Sequence, residues 1–201
     1  MTGLHALVLA AGAGTRFGGR KLLAPFRDGR LIDGALAAAL AAPVETVTVV
    51  VGYDAQAVRA AAIAFAADVG ETRLHVVEAP DHAEGLAGSL RAGIAALPGN
   101  TRGALVFLGD MPLVPFDVLA PLAQALSGGA PAAVPVFEGR RGHPAALSES
   151  LFPELLALSG DRGARDLLEA LGAAVVEVPA PDAGVLIDVD APADLENLPG
   201  A

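Results

Sequence analysis

Three runs of apolar and β-branched residues constrain the fold of this chain more than any other feature: residues 4–9, residues 44–51 and Gly103–Leu108. Runs of this length and composition are typical of β-strands. Gly103–Leu108 is apolar at nearly every position, and such strands are buried on both faces, as in parallel sheets covered by helices. The sequence therefore predicts a largely parallel sheet with helices on both sides.

Segments with the composition of helices separate these strands. Residues 31–42, 54–67 and 86–97 are predicted helices, and Leu74–Glu78 is a further short strand. Asp54 is the expected N-cap of the second helix. The alternation predicts an α/β fold, a Rossmann-like, three-layer, doubly wound and mostly parallel sheet. A chain of 201 residues is expected to form it as one domain, residues 1–201.

The pattern changes after residue 112. The segments predicted there are helices at 115–126, 148–158, 161–171 and from about Pro192, strands at Ala132–Phe137, 174–178 and 185–187, and a basic turn at 140–144. We expect this second half, residues 113–201, to extend the sheet and to supply a surface for an acceptor molecule.

Composition and charge narrow the class of protein. Hydrophobic residues make up 53% of the chain and charged residues 18%, which excludes a disordered chain. The net charge of −10 argues against general binding to nucleic acid or to anionic membranes. No cysteine is present, so disulfides and thiol chemistry are excluded. We expect a cytoplasmic protein that spans no membrane.

A glycine-rich loop with three cations follows the first predicted strand. Residues 12–21 read G-A-G-T-R-F-G-G-R-K. Glycines let backbone N–H groups turn toward a ligand, and cations add charge for phosphate, so the loop is a candidate phosphate site. The alternative is a solvated turn. A dinucleotide fingerprint fails because Phe17 stands at its third glycine. A P-loop fails because Arg20 separates Gly19 from Lys21, and Leu22 rather than a hydroxyl residue follows the lysine.

Lys21 is the only lysine of the chain, and the other cationic side chains are arginines. A compact ammonium differs from a guanidinium in reach and geometry, so a specific role for Lys21 competes with chance in a lysine-poor composition. Residues 1–31 carry five cationic side chains against the single acid Asp28. The predicted phosphate loop is therefore a local positive region in an acidic protein.

Aspartates follow two predicted strands. Asp110 comes after Gly103–Leu108, at the carboxyl end where open α/β sheets bind ligands. It is a candidate magnesium ligand, and a turn aspartate is the alternative. Asp188 and Asp190 follow residues 185–187 and, in an extended chain, would face the same side. Asp190 could instead cap the helix at Pro192.

Six motifs in order carry a family resemblance. The loop fits L-A-[AG]-G-x-x-x-R-[MF]-G-x-x-K at Gly12, Arg16, Gly18 and Lys21, and it is followed by G-L-A-G-S-L from Gly85, G-D-M-P from Gly109, G-H-P from Gly142, G-D-R-G-A-R from Gly160 and D-V-D-A-P-A-D-L from Asp188. The chain resembles the molybdenum cofactor cytidylyltransferases, within the larger set of MobA-like NTP transferases. The resemblance implies the nucleotide-diphospho-sugar transferase fold, with the nucleotide bound by residues 1–112 and the acceptor by residues 113–201.

The resemblance implies a role for each motif. Catalysis would fall to Arg16, Lys21 and Asp110, and Mg²⁺ would be held by Asp110 with Asp188 or Asp190. The acceptor would meet His143, Asp161 and Arg165. The nucleotide-binding residues that it implies are Ala10, Ala11, Gly12, Ala13, Gly14, Thr15, Arg16, Lys21, Gly85 and Ser89.

The implied reaction is transfer of CMP from CTP to the phosphate of molybdopterin, with release of pyrophosphate and with possible transient contact with a molybdoenzyme. Guanylyltransferase relatives have glycine at the position of Ala11 and aspartate at that of Arg20, so cytosine is favoured. Phe17, Gly88 and Ala191 depart from the family pattern, and another base, such as GTP, or another phosphorylated acceptor is the alternative. An oxidoreductase or a non-catalytic maturation partner fits the motifs less well.

Overall fold

Ten strands and seven α-helices form the part of the chain that the computed structural model describes, residues 2–160 and 163–198. The strands are β1 (Leu4–Ala10), β2 (Pro25–Phe26), β3 (Gly29–Arg30), β4 (Val47–Val51), β5 (Leu74–Glu78), β6 (Gly103–Leu108), β7 (Ala132–Phe137), β8 (Arg140–Arg141), β9 (Ala145–Ser148) and β10 (Val175–Pro179). The helices are α1 (Leu31–Ala41), α2 (Ala55–Asp68), α3 (Leu86–Ala95), α4 (Leu119–Ser127), α5 (Phe152–Leu156), α6 (Arg165–Leu171) and α7 (Pro192–Glu196).

One eight-stranded sheet runs through these residues in the order β10-β7-β9-β6-β1-β4-β5, with β8 paired to β7. Strands β5, β4, β1 and β6 are parallel to one another, and β10 is parallel to β7. Strand β9 lies antiparallel between β6 and β7 and joins the two halves of the chain in one sheet. The short pair β2–β3 stands apart as a hairpin. The prediction of a mostly parallel, doubly wound sheet is confirmed.

Alternate residues of β1 enter two different cores. Ala6 and Val8 pack with α1, α2 and α4 on one face of the sheet, while Leu7 and Leu9 pack with α3 and α5 on the other. All seven residues of the strand are buried. Burial of each Leu or Val side chain contributes about 1.5–3 kcal/mol, so the apolar run is stable only between two helical layers. The carboxyl ends of β1 and β6 are thereby fixed side by side, from Leu4↔Gly103 to Leu9↔Leu108.

Two sequence predictions in the second half are wrong. Residues 185–187 were expected to form a strand, but Ala183–Leu186 is a 3₁₀ turn. The Asp182 carboxylate accepts a hydrogen bond from Gly184 N, and a Cβ on Gly184 would lie 2.0 Å from the Leu113 carbonyl oxygen. Side-chain capping and close backbone packing therefore prevail over a short β-branched pattern.

The predicted helix at 148–158 is also wrong at its start. Ser148 ends β9, and its hydroxyl accepts a hydrogen bond from Ser150 N before the turn Glu149–Leu151 and α5. Pairing of Ala145–Ser148 with strands on both sides decides this segment, and the sequence of four residues carries no signal of such pairing. Within the described residues, no helix combines the length and apolarity needed to cross a membrane.

Candidate active site

The loop after β1 brings its only lysine back against the start of the same loop. Gly14 has φ 57°, and a Cβ there would lie 2.9 Å from the Cβ of Lys21. Glycine is therefore required at position 14, both for the left-handed backbone and for the passage of the Lys21 side chain. Short 3₁₀ turns at Thr15–Phe17 and Lys21–Leu23 complete the loop.

Lys21 links three parts of the fold. Its side chain is 11% exposed, and Nζ lies 2.7 Å from Asp110 Oδ2, at the end of β6, and 3.5 Å from Asp190 Oδ1. A mostly buried ammonium between two carboxylates is stabilised more than a surface pair, because solvent screens it less. The three predicted catalytic or metal-binding residues Lys21, Asp110 and Asp190 are thus in direct contact.

Arg16 forms an ion pair with Asp190, the second carboxylate near Lys21. Its Nη1 lies 2.5 Å from Asp190 Oδ2, with 78% of the Arg16 side chain and 46% of the Asp190 side chain exposed. Such an exposed pair contributes little to folding stability, typically about 0–1 kcal/mol. Its effect is positional, because the Asp190 carboxylate holds Arg16 with one oxygen and approaches Lys21 with the other.

Asp190 does not cap the last helix, which was the alternative weighed for it. Ala191 occupies the N-cap position of α7, and the Asp194 carboxylate accepts hydrogen bonds from Asp190 N at 2.9 Å and Ala191 N at 2.7 Å. These bonds lower the pKa of Asp194. The side chain of Asp190 therefore pairs with Arg16 and Lys21 of the loop instead.

A backbone hydrogen bond of the neighbouring Val189 holds Asp188 next to Asp110. Val189 N donates a hydrogen bond to the Asp110 carbonyl at 3.1 Å, and the Val189 side chain is buried. The pKa of Asp188 is raised, first by burial and then by the negative charge of Asp110. Although Asp188 is partly exposed, the charge of Asp110 still repels its carboxylate, and a bound cation would relieve that repulsion.

Two carboxylates suit a divalent ion that substrate phosphates help to bind. The described residues contain no group of three or more His, Cys, Asp or Glu side chains able to hold a metal by themselves. Mg²⁺ usually takes one or two carboxylates together with substrate phosphates and water. Asp110 and Asp188 therefore fit such an ion, while Asp190 is engaged by Arg16 and Lys21.

The residues predicted to meet the base, Ala10, Ala11 and Gly12, lie at the carboxyl end of β1. Ala10 and Ala11 are buried, and the Ala11 carbonyl accepts a hydrogen bond from Tyr53 N at 3.0 Å. A Cβ on Gly52 would come within 2.5 Å of the His82 ring and 2.8 Å of the Ala11 Cβ, so glycine allows this ring to pack there. Sequence reasoning missed Tyr53 and His82, because neither belongs to a motif.

Gly85 and Ser89 lie where α3 begins. Gly85 precedes the helix with φ 97°, and Ser89 is buried in its first turn. A Cβ on Gly88 would lie 2.2 Å from the Asp81 carbonyl oxygen, so a serine would push loop 79–85 away from the helix. The departure from the family serine at this position thus has a steric cause.

A cavity of about 560 Å³ opens on the other side of the β6 end. Its walls are mainly apolar side chains of β1, β6, β7, β9 and α3, and its polar lining comes from Arg140, Arg141, His143, Arg165 and Glu169. We call it the acceptor cavity. Sequence reasoning singled out His143 and Arg165 but treated Arg140 and Arg141 only as part of a basic turn.

His143 connects the acceptor cavity to the carboxylates. Burial lowers its pKa, against the opposing effects of the Val106 backbone and of the charges of Asp110 and Asp188. The imidazole is therefore neutral near neutral pH, and its buried Nδ1 has no hydrogen-bond partner within the described residues. Arg165 begins α6 and pairs with Glu169 at 3.0 Å, whereas Asp161 lies outside the described residues.

A phosphate-type loop, a lysine and two carboxylates at the carboxyl edge of a doubly wound sheet define a nucleotidyltransferase. The model of the MobA-like NTP transferase domain matches residues 6–177. The chain belongs to this family, as the sequence motifs predicted.

Three curated relatives show how varied the family is. The chain is 31% identical to the purine catabolism protein PucB of Bacillus subtilis, with 97% of this chain and 95% of that protein covered. It is 33% identical to the nicotine blue oxidoreductase of Paenarthrobacter nicotinovorans, with 81% of this chain and 79% of that protein covered. It is 24% identical to the molybdenum cofactor cytidylyltransferase of Escherichia coli, covering 96% and 94%.

Solved structures agree with the fold. The crystal structure of Rv0371c from Mycobacterium tuberculosis superposes with a TM-score of 0.81 at 30% identity, covering 97% of this chain and 96% of that one. A second structure of Rv0371c is a complex with manganese, with a TM-score of 0.71 at 28% identity, covering 89% and 88%. A divalent ion is thus present in a structure of a similar protein.

Proposed function

We propose that this protein transfers CMP from CTP to the phosphate of molybdopterin or the molybdenum cofactor, in a Mg²⁺-dependent reaction that releases pyrophosphate. The observation that carries the proposal is the meeting of Lys21 with Asp110, beside Asp188 and next to the acceptor cavity. The likeness to the Escherichia coli cytidylyltransferase over 96% of the chain supports the choice of nucleotide and acceptor.

In this reaction an oxygen of the acceptor phosphate attacks the α-phosphorus of CTP. A new P–O bond forms, the bond between the α-phosphorus and the bridging oxygen breaks, and pyrophosphate leaves with the electron pair. The attacking phosphate is already anionic, so no strong general base is required. Catalysis then depends on alignment and on neutralisation of charge.

Lys21 and Arg16 supply charge from the chain itself. Lys21 is paired with Asp110, so the triphosphate would replace that aspartate oxygen as its partner, while Arg16 remains paired with Asp190. Asp110 and Asp188 would hold the divalent ion, which would supply positive charge against the charge that develops on the phosphates. Asp190 would keep Arg16 and Lys21 at the correct spacing, and Gly12, Ala13, Gly14 and Thr15 would bring backbone N–H groups to the phosphates.

The choice of cytosine depends on the region around Ala11. Arg20, which stands where guanylyltransferase relatives have an aspartate, has Nε 3.0 Å from Asp54 Oδ2, at the start of α2. This ion pair links the loop to the start of α2, and an arginine at position 20 leaves no acid there for a guanine-specific site. Ala10, Ala11 and Gly12 would then contact the base, with Gly85 and Ser89 beside the nucleotide.

The acceptor would occupy the acceptor cavity, whose charged and polar side chains come from residues 113–201 and whose apolar walls include β1, β6 and α3. Residues 1–112 would thus bind the nucleotide and share the cavity walls, and residues 113–201 would supply the polar contacts to the acceptor. His143, a neutral ring near Asp110 and Asp188, would hydrogen-bond the acceptor. Arg165 would contact an acceptor anion after leaving Glu169.

The test is transfer of labelled CMP from CTP to molybdopterin, measured as product and as pyrophosphate in the presence of Mg²⁺ or Mn²⁺. GTP, ATP and UTP are compared under the same conditions, together with thermal stabilisation by each. Greater turnover and stabilisation with GTP would overturn the base assignment. Absence of pyrophosphate release with every nucleotide, together with oxidation of NAD(P)H, would favour the oxidoreductase named among the relatives.

A further inference from the structure

The rim of the acceptor cavity carries two adjacent arginines on a tight hairpin. Glu138 and Gly139 connect β7 to β8 with φ 49° and 75°, and Phe137 pairs directly with Arg140. Two consecutive positive φ values are typical of the type I′ turn of a two-residue hairpin. The backbone of Arg140 and Arg141 is therefore held in a fixed position at the rim.

Arg141 is used to attach this hairpin to the rest of the fold. Its Nε donates to Glu177 Oε1 on β10 at 3.0 Å. Its two Nη groups donate to the carbonyls of Leu168 and Gly172 at 3.3 Å, around the end of α6. The guanidinium thus joins three elements, and its charge is partly neutralised by Glu177.

Arg140 differs from its neighbour. Its guanidinium makes no hydrogen bond or ion pair with any residue in 2–160 or 163–198, and the residue is exposed while lining the cavity. Arg165, the third arginine of the lining, is paired with Glu169. A guanidinium presents a planar set of donors that matches a carboxylate or phosphate, so an unpaired one at a cavity rim is suited to an anionic ligand.

The interior of the cavity suggests what the rest of the ligand is like. Leu90, Val106, Val134 and Leu147 contribute apolar walls. A volume of about 560 Å³ with few polar groups is in the range of small-molecule sites and suits a ring compound. Arg140 and His143 are three positions apart in the chain, a span of at most about 11 Å between their Cα atoms, so one such molecule can reach both.

We propose that Arg140 binds a second anionic group of the acceptor, at the end remote from the reacting phosphate. The acceptor is then a ring compound with an anion at each end. One end lies near His143, Asp110 and Asp188, and the other lies at the hairpin β7–β8. This inference rests on the proposed function only in assigning the reacting phosphate to the carboxylate end.

Two small phosphate esters that differ by one anion test the proposal. Phenyl phosphate has a single anionic end, and 4-carboxyphenyl phosphate has a second one across the ring. Isothermal titration with the full chain and Mg²⁺ measures both. We expect the wild type to bind the carboxylate ester about tenfold more tightly, the usual size of one charge-assisted hydrogen bond.

The variants Arg140→Gln, Arg140→Lys and Arg141→Gln separate binding from folding. Arg140→Gln is expected to bind both esters equally at an unchanged melting temperature, and Arg140→Lys to retain part of the preference. Arg141→Gln is the matched control, expected to lower the melting temperature while keeping the preference. Equal binding by the wild type, or a preference that survives in Arg140→Gln, would overturn the role of Arg140.

The transfer assay keeps this inference distinct from the proposed function. Loss of the ester preference with intact CMP transfer would contradict only the role of Arg140. An ester preference that depends on Arg140, in a protein that does not transfer CMP, would contradict only the proposed reaction.

Discussion

Lys21 and Asp110, 89 positions apart in the sequence, form an ion pair of 2.7 Å that closes the loop after β1 onto the end of β6. The ammonium is a candidate partner of the triphosphate, and the carboxylate is a candidate ligand of the divalent ion. Each therefore has to exchange its present partner during binding. We expect metal and nucleotide to promote the binding of one another, because each removes a competitor of the other.

Replacement of Lys21 separates the effect of charge from that of shape. Lys21→Ala is expected to lower kcat/KM by roughly 10²–10³, the usual effect of removing one preorganised charge contact at a reacting centre. Lys21→Arg keeps the charge but changes its reach, and it should remain well below wild type. Pyrophosphate release at saturating substrates and a melting curve check this. Wild-type turnover in Lys21→Arg would mean that only the charge matters.

Asp110→Asn is expected to fold but to lose metal-dependent turnover, because a neutral amide is a weaker ligand for a hard cation. Titration of Mg²⁺ and Mn²⁺ against pyrophosphate release measures this effect. Full activity at the metal concentration used for the wild type would reduce Asp110 to a turn residue that holds Lys21.

Asp188→Asn is expected to weaken metal binding, whereas Asp190→Asn is expected to weaken nucleotide binding. Asp188→Asn should raise the metal concentration required for half-maximal rate by about tenfold or more, as loss of a ligand does. Asp190→Asn should leave the metal requirement near wild type and raise the KM for nucleotide, because Arg16 loses its partner. The two variants are matched controls for one another, and identical metal profiles would contradict the separate roles.

His5 makes folding stability depend on pH. Its ring is buried and its Nδ1 lies 2.7 Å from Thr46 Oγ1, and burial lowers its pKa despite the charge of Glu45. Below about pH 6.5 the unfolded chain takes up a proton at this position before the folded protein does, so the free energy of unfolding falls as the pH falls. Above that pH the residue contributes no such dependence.

Urea unfolding between pH 5 and 8 measures the contribution of His5. The wild type should lose at most about 1.4 kcal/mol per pH unit through this one group as the pH falls below 6.5. His5→Asn should have a shallower dependence, although it is less stable at pH 8. His75→Asn changes an exposed histidine and serves as the control. Equal slopes for the wild type and His5→Asn would contradict the prediction.

The sequence by itself determined the central sheet and pointed to the main candidate residues of the site. The bounds of β5, β6 and β7 agree with those predicted, because runs of β-branched and apolar residues bounded by loop residues have few other stable conformations. Lys21 was predicted from the glycine-rich loop after β1 and from the family signature, and Asp110 from its position after β6. Parallel strands bring their carboxyl ends to one edge of the sheet, so the contact between these residues follows from the topology.

The tertiary structure alone decided which aspartate pairs with the cations of the loop, which one caps α7, and which arginine has no partner among the described residues. Asp190 and Asp194 have similar sequence surroundings. Asp190 pairs with Arg16 because of where Arg16 lies, whereas Asp194 accepts hydrogen bonds from the backbone at the N-terminus of α7. Arg140 and Arg141 are adjacent and chemically identical, yet only the second reaches Glu177. The Arg16–Asp190 and Arg141–Glu177 contacts join residues 174 and 36 positions apart, and local sequence carries no record of such contacts.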